Sequence, residues 1–108
     1  MQPWFTDGKL GIFVHWGIYA VDGVQESWSF YDGVVPYDRY MSQLDRFTAA
    51  RYDPRDWAEL FARAGAKYIT PTSKHHDGYC LWPSAEANKA WGRPWNAMDV
   101  GPKRDLMA

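Results

Sequence analysis

A cluster of polar side chains follows a short apolar run near the middle of the sequence: His75, His76, Asp77 and the glycine Gly78. A neutral imidazole donates one hydrogen bond and accepts another, so two neighbouring histidines are suited to holding the hydroxyl groups of a polar ligand. Adjacent side chains diverge along an extended chain, which makes both histidines on one metal ion unusual. Two alternatives stay open: a metal site formed by His15, His75 and His76, and histidines that only fix a loop.

A second candidate region begins at His15, which follows the apolar residues 12–14. The loop after it carries Glu26 and Trp28, two positions apart. Carboxylates accept hydrogen bonds from sugar hydroxyl groups, and the face of an aromatic ring packs against the C–H groups of a sugar. The same pairing is equally common on protein surfaces, so these residues favour a sugar-binding site without defining one.

Hydrolysis of a glycosidic bond needs two carboxyl groups, about 5–5.5 Å apart in retaining enzymes and further apart in inverting ones. The carboxylates near the ends of the predicted strands are Asp22, Glu26, Asp32 and Asp77, and their spacing marks no pair. We predict that Asp77 braces the turn before Gly78. The sequence therefore indicates a binding surface more than a complete catalytic site.

The elements that position these residues are two strands and a helix. The short apolar run within residues 9–17 is too short for a helix and predicts a strand buried on both faces, and residues 67–72 predict a second strand. Between the strands, Asp53 and Pro54 form a helix start, an apolar face recurs at helical spacing, and Gly65 supplies the stop. A helix, a tight turn and a buried strand make half of a β–α–β unit, so we expect a parallel sheet.

Other elements are less regular. Pro71 cannot donate to a strand ladder and belongs at an edge, a bulge or a strand end, so we expect the second strand to be irregular there. Residues 37–44 and 85–90 have helical patterns, and residues 102–108 look like the opening of another helix.

Length and composition exclude several classes of protein. A chain of 108 residues predicts a single domain over residues 1–108. The net charge is −1, with basic residues scattered among acidic ones, which argues against a nucleic-acid partner. Cys80 is the one cysteine, which fits a reducing compartment. No secretory signal and no apolar stretch of the ~20 residues that span a membrane is visible, so we expect a cytoplasmic protein with no membrane partner and no cofactor.

Several stretches of the sequence resemble the α-L-fucosidases of glycoside hydrolase family 29. Residues 4–19 (WFTDGKLGIFVHWGIY) are similar to the opening signature of that family, and residues 26–31 (ESWSFY) to the loop after the first barrel strand in one of its branches. Residues 64–82, with KHHDGY at 74–79, are similar to its second signature, and residues 101–106 (GPKRDL) to the start of the following helix. The resemblance covers essentially the whole chain.

The resemblance implies an α/β fold of the (β/α)₈ TIM-barrel type and retaining hydrolysis of α-L-fucosides by an aspartate nucleophile and a separate acid/base carboxylate. It also implies that the fucose pocket is lined by His15, Glu26, Trp28, His75 and His76. In such sites the histidines and the glutamate hold the sugar hydroxyl groups, and the tryptophan lies near the methyl group. The expected ligand is fucose or an α-L-fucoside, which agrees with these residues lying at strand ends, where barrel sites form.

A complete barrel takes about 250 residues, so the expectation for this chain is the first two to three β/α units, with parallel strands. In the family the nucleophile and the acid/base follow later strands, and this chain lacks both positions. Open strand edges and an uncovered apolar face would be completed by self-association into a homo-oligomer. The resemblance leaves open whether the chain hydrolyses fucosides, alone or as an oligomer that recruits Glu26 and Asp77, or is a non-catalytic fucose-binding or structural self-assembling fragment.

Overall fold

The computed structural model describes residues 1–108. Its helices and strands, in chain order, are α1 (Pro3–Asp7), β1 (Gly11–Val14), α2 (Trp28–Tyr31), α3 (Tyr37–Ser42), α4 (Pro54–Arg63), β2 (Tyr68–Pro71) and α5 (Ala85–Trp91), with short 3₁₀ helices at Ile18–Ala20 and Gln43–Arg46. The chain forms two compact units: the first unit contains Met1–His15 and Arg51–Pro71, and the second unit contains Trp16–Ala50 and Thr72–Ala108. The expectation of one domain over residues 1–108 stays a prediction.

The first unit contains a two-stranded parallel sheet, in which β1 and β2 pair in register from Gly11 opposite Tyr68 to Val14 opposite Pro71. Parallel strands need a long crossover, and α4 lies within it. The prediction of an α/β structure with parallel strands is therefore confirmed, whereas a partial TIM barrel and its completion by self-association stay predictions. The expected irregularity at Pro71 is absent: the register continues to this residue, and the strand ends there.

Helix α4 begins and ends where the sequence predicts. The Asp53 carboxylate accepts hydrogen bonds from the backbone N–H groups of Arg55 (2.8 Å) and Asp56 (3.4 Å). Pro54 occupies the first helical position, where a backbone N–H has no partner within the helix. Gly65 follows the helix at φ +91°, a left-handed conformation that favours glycine. Local capping chemistry alone accounts for both ends of this helix.

The sheet is not buried on both faces, contrary to the prediction for the first strand. Phe13 is 62% exposed and Ile69 is 41% exposed. Burial on both faces requires a layer of structure against each face of a sheet, and this chain leaves these two side chains in solvent. Packing is close at Gly11, where an added Cβ would lie 2.2 Å from the ring of Tyr68, so that only glycine fits.

The second unit contains most of the core. Its large buried apolar and aromatic side chains come from the loop after β1, from α3 and the stretch that follows it, and from the segment after β2: Ile18, Tyr19, Tyr40, Leu44, Phe47, Tyr79, Leu81 and Trp95. The helical pattern at residues 85–90 is confirmed by α5, which begins after the capping residue Ser84. The pattern at residues 37–44 is confirmed as α3, continued by a 3₁₀ helix. No helix in the chain combines the length and apolar character needed to cross a membrane.

The helix predicted at residues 102–108 is wrong. Lys103 has a positive φ of +59°, which a right-handed helix does not allow. The backbone N–H of Arg104 donates to the Ala97 carbonyl (2.9 Å), and that of Leu106 donates to the Leu81 carbonyl (2.9 Å). These non-local hydrogen bonds hold the segment against the core of the second unit and replace the local bonds of a helix.

Candidate ligand-binding site

The turn that carries both histidines depends on Gly78. This residue has φ +74°, and its backbone N–H donates to the His75 carbonyl (3.0 Å), which closes the turn. An added Cβ would lie 2.2 Å from Nε1 of Trp91, so the indole of α5 packs directly on the glycine backbone. Both the backbone conformation and the close approach require glycine at this position.

Asp77 braces the same turn from inside the second unit. Its carboxylate accepts a hydrogen bond from the Tyr40 hydroxyl (2.6 Å) and another from the backbone N–H of Tyr79 (3.0 Å). The indole N–H of Trp95 donates to the Asp77 carbonyl (2.7 Å). Asp77 is 1% exposed, and burial raises the pKa of its carboxyl group although these hydrogen bonds act in the opposite direction. The predicted bracing role is confirmed, and the buried carboxylate has no open path to a substrate.

His75 is oriented by the loop before α2. The hydroxyl of Ser27 and Nδ1 of His75 share a hydrogen bond, and Ser27 is 1% exposed. The ring of Tyr19 packs edge-on against the imidazole, with ring centroids 5.7 Å apart. With Nδ1 engaged, any further hydrogen bond of this imidazole is made through Nε2.

His76 lies beside the first residue of α2. Its ring centroid is 5.3 Å from that of Trp28 and 5.1 Å from that of His75, both in edge-on arrangements. A cavity of about 470 Å³ opens here, lined by Ser27, Trp28, Phe30, Tyr31, His76 and Trp91. We call it the histidine cavity. Trp28 is 42% exposed, so an aromatic face and an imidazole stand together at a solvent-accessible recess.

The other two predicted residues have different surroundings. Glu26 is half-buried in the second unit and immediately precedes Ser27. Burial raises the pKa of the Tyr40 hydroxyl, and the charges of Asp77 and Glu26 add to the shift, which places the Glu26 carboxylate near this network. His15 is exposed in the first unit, with its ring centroid 4.9 Å from that of Phe13. The second unit thus brings Trp28, His75 and His76 together, close to Glu26.

The residues that support this arrangement do not stand out in the sequence. Ser27 lies between two predicted ligand-binding residues, so its position in the motif was the available signal. Tyr40 and Trp95 are far from the histidines in the sequence, and nothing in the pattern around them indicates that they bond to Asp77. The structure also contains no group of three or more His, Cys, Asp or Glu side chains arranged to hold a metal ion, so the three-histidine metal site has no support.

Comparison with known proteins shows which family the chain belongs to. A sequence model described as Alpha-L-fucosidase matches residues 1–108. The tissue alpha-L-fucosidases of Mus musculus and Homo sapiens are each 40% identical to this chain over 99% of its length, which corresponds to 26% and 25% of their own lengths. Alpha-L-fucosidase isoenzyme 1 from Paenibacillus thiaminolyticus has a similar structure, with a TM-score of 0.79 and 35% identity over 96% of this chain and 23% of its own. The Thermotoga maritima alpha-fucosidase in complex with fucose gives a TM-score of 0.74 and 37% identity over 95% of this chain and 29% of its own.

These matches cover nearly the whole chain, which has a parallel α/β structure and a recess lined by a histidine and tryptophans. Together they indicate a protein of the glycoside hydrolase class. The chain belongs to the α-L-fucosidase family, glycoside hydrolase family 29. The resemblance seen in the sequence motifs is thereby confirmed. The chain spans about a quarter of the length of the curated relatives that it matches.

Proposed function

We propose that the chain forms the fucose-recognition part of a retaining α-L-fucosidase site. In this proposal Glu26, His75 and His76 of the second unit hold the hydroxyl groups of the sugar, and Trp28 packs against its apolar side. The observation that carries the proposal is the histidine cavity, in which the rings of Trp28 and His76 stand 5.3 Å apart at a recess of about 470 Å³ in a chain of this family. This volume is within the usual range for small-molecule sites.

The chemistry of the site supports a sugar better than a charged ligand. An imidazole donates and accepts hydrogen bonds, which matches a hydroxyl group that does the same. The lining around Trp28, Phe30 and Tyr31 is aromatic, and such faces pack against C–H groups and a methyl group. Fucose, a deoxy sugar with hydroxyl groups on one part of the ring and a methyl group on another, has both features.

Catalysis requires carboxylates in addition to these residues. Asp77 is buried and accepts hydrogen bonds from Tyr40 and Tyr79, so the suggestion that an oligomer recruits it as a catalytic group is disfavoured. Glu26, the other carboxylate of that suggestion, is half-buried. We therefore propose that the nucleophile and the acid/base of the retaining reaction are supplied from outside the residues of this chain, and that the chain alone contributes binding.

Titration of the purified chain with methyl α-L-fucoside, followed by tryptophan fluorescence and by NMR of the histidine side chains, tests the proposal. We expect saturable binding that weakens at least ~10-fold in Trp28→Ala and in His76→Ala, since each removes a principal contact surface. Trp4→Ala is the matched control, because Trp4 is an exposed tryptophan of the first unit. Equal affinity in all variants would contradict the proposal.

Hydrolysis of an aryl α-L-fucoside should be measured in parallel over a range of protein concentrations. Binding without hydrolysis is the result expected if the catalytic carboxylates come from elsewhere. Hydrolysis that rises faster than the protein concentration and falls in Glu26→Ala would instead show that copies of the chain assemble a working site.

A second candidate function, that of a self-assembling fragment, rests on the exposed side chains and unpaired edges of the sheet. Each strand of a two-stranded sheet keeps one unpaired edge. Phe13 and Ile69 are one step apart in the register, which places them on opposite faces of the sheet, and both are exposed. Unpaired edges with apolar side chains are surfaces on which chains associate. We propose that copies of the chain pair at these edges and cover these side chains in a homo-oligomer, which is compatible with fucose binding in the second unit.

A further inference from the structure

A second recess lies next to the histidine cavity, between the turn after β2 and helix α5. Its volume is about 430 Å³, and its wall includes Lys74, Trp82, Ser84, Glu86 and Trp91. We call it the α5 groove. Trp91 lines both the histidine cavity and the α5 groove, so the two recesses are neighbours that share one aromatic wall.

The shared wall is held firmly in place. The ring of Trp91 packs on that of Trp95 with centroids 5.1 Å apart and planes tilted by 37°. Its indole edge also lies on the backbone of Gly78. Trp95 is itself fully buried and bonded to Asp77. A rigid aromatic wall loses little conformational entropy when a ring stacks on it, which favours its use in ligand binding.

The rest of the groove offers polar groups without partners in the protein. Lys74 and Glu86 are both exposed, and neither side chain forms an ion pair or a hydrogen bond within the chain. An ammonium group donates up to three hydrogen bonds and a carboxylate accepts several, so together they serve both roles of a hydroxyl group. Their charges are opposite, which favours a neutral polar ligand over an ionic one.

We propose that the α5 groove binds the leaving-group sugar of the fucoside, that is, the neutral pyranose ring to which fucose is attached. Trp82 and Trp91 supply aromatic faces for this ring, and Lys74 and Glu86 supply hydrogen bonds to its hydroxyl groups. This inference rests on the proposed function, because it places the second sugar beside a fucose in the histidine cavity. Residues of the α5 groove then set which fucosylated glycans the chain prefers, whereas Trp28 and His76 set its preference for fucose.

The test compares two probes on the purified chain by calorimetric titration: methyl α-L-fucoside and the disaccharide α-L-fucosyl-(1→2)-D-galactose. We expect the disaccharide to bind on the order of tenfold more tightly, the size of effect that an added stacked ring provides. Trp82→Ala should remove this advantage and leave the affinity for methyl α-L-fucoside unchanged, since Trp82 does not line the histidine cavity.

The double variant Lys74→Gln and Glu86→Gln is an independent test that leaves every aromatic side chain in place. It should reduce the affinity for the disaccharide, relative to that for methyl α-L-fucoside, by several-fold. Lys89→Gln is the control, because Lys89 is exposed on α5 and lines neither recess. Binding of methyl α-L-fucoside with no added affinity for the disaccharide, or an advantage that survives in both variants, would overturn the groove assignment alone. Failure of both probes to bind would overturn the proposed function, and the groove assignment with it.

Discussion

Ser27 holds one of the two ring nitrogens of His75. Its buried hydroxyl bonds to Nδ1, and an imidazole held on one nitrogen makes its next in-plane hydrogen bond through the other. A histidine that rotates freely would present either nitrogen, so this contact restricts the ring to one orientation. Under the proposed function Ser27 is therefore a positioning residue, because it orients a side chain that we propose holds the sugar.

Ser27→Ala tests this role. We expect the affinity for methyl α-L-fucoside to fall about threefold to tenfold, because the net value of one hydrogen bond is on the order of 1 kcal/mol. The NMR signals of the His75 ring nitrogens should also shift towards a mixture of tautomers. Ser29→Ala is the matched control, since Ser29 lies two residues after Ser27, within α2, and is also buried, but its hydroxyl donates to the Glu26 carbonyl. Unchanged His75 signals in Ser27→Ala would contradict the assignment.

Asp77 makes the stability of the second unit depend on pH. Burial raises the pKa of its carboxyl group above the unfolded value of about 3.9, so the folded chain binds a proton more tightly than the unfolded chain. The contribution of Asp77 to the free energy of unfolding is therefore fully present below the unfolded pKa and is lost as the pH rises through the raised folded pKa.

Asp77→Asn removes this titration while keeping an acceptor oxygen in place. We expect the free energy of unfolding of Asp77→Asn minus that of the unsubstituted chain to increase as the pH rises from 4 to 7, because only the unsubstituted chain loses the contribution of a raised pKa. Urea denaturation at several pH values measures both proteins. A difference that is constant over this range, or that changes in the opposite direction, would show that burial does not dominate the pKa of Asp77.

At the scale of elements, α4 shows how an N-terminal capping residue contributes to the free energy of unfolding. Its first turn is closed by the Asp53 carboxylate on the N–H groups of Arg55 and Asp56. Asp53→Ala should lower the free energy of unfolding by about 1 kcal/mol, the usual value of an N-cap. Asp32→Ala is the control for loss of an exposed aspartate, since the side chain of Asp32 has no hydrogen-bond or ion-pair partner in the chain. Thermal denaturation should separate the two variants, and equal melting temperatures would contradict the capping role.

An element can be predicted when the residues that fix its conformation lie within it or next to it in the sequence. Helix α4 is specified by Asp53, Pro54 and Gly65, all within or next to it, and its bounds were predicted correctly. The segment 102–108 begins with helix-like residues, yet its conformation is set by hydrogen bonds to Ala97 and Leu81, which local patterns do not encode.

The same distinction between local and non-local residues applies to the candidate site. The motif at residues 74–79 indicated His75 and His76, because chemistry-bearing residue types stand together there. The brace of Tyr40 and Trp95 on Asp77 was missed, since these residues meet only in three dimensions. A family motif records the residues of a site, while the contacts that orient them are dispersed along the chain.

At the scale of the whole molecule, the proposed self-association is tested at Phe13, whose side chain on the sheet is 62% exposed. Phe13→Thr should weaken the oligomer by about tenfold or more, because burying a phenylalanine contributes roughly 1.5–3 kcal/mol and 1.4 kcal/mol is a tenfold change. Val34→Thr is the control, since Val34 is 77% exposed and belongs to the second unit, which does not contain the sheet. Sedimentation velocity over a range of concentrations measures the effect, and a strictly monomeric unsubstituted chain would contradict self-association.

The parallel pairing of β1 with β2 also affects the chain while it is being synthesised. Gly11 pairs with Tyr68, so the partner of the first strand is synthesised more than fifty residues later. At ribosomal speeds of about 5–20 residues per second, the interval is roughly 3 to 12 s. Throughout it, the apolar residues of β1 have no native neighbour to pair with, while a strand from another nascent chain could already be complete. The growing polypeptide is therefore the form of this molecule most exposed to wrong pairing, and slowing translation would lengthen that exposure.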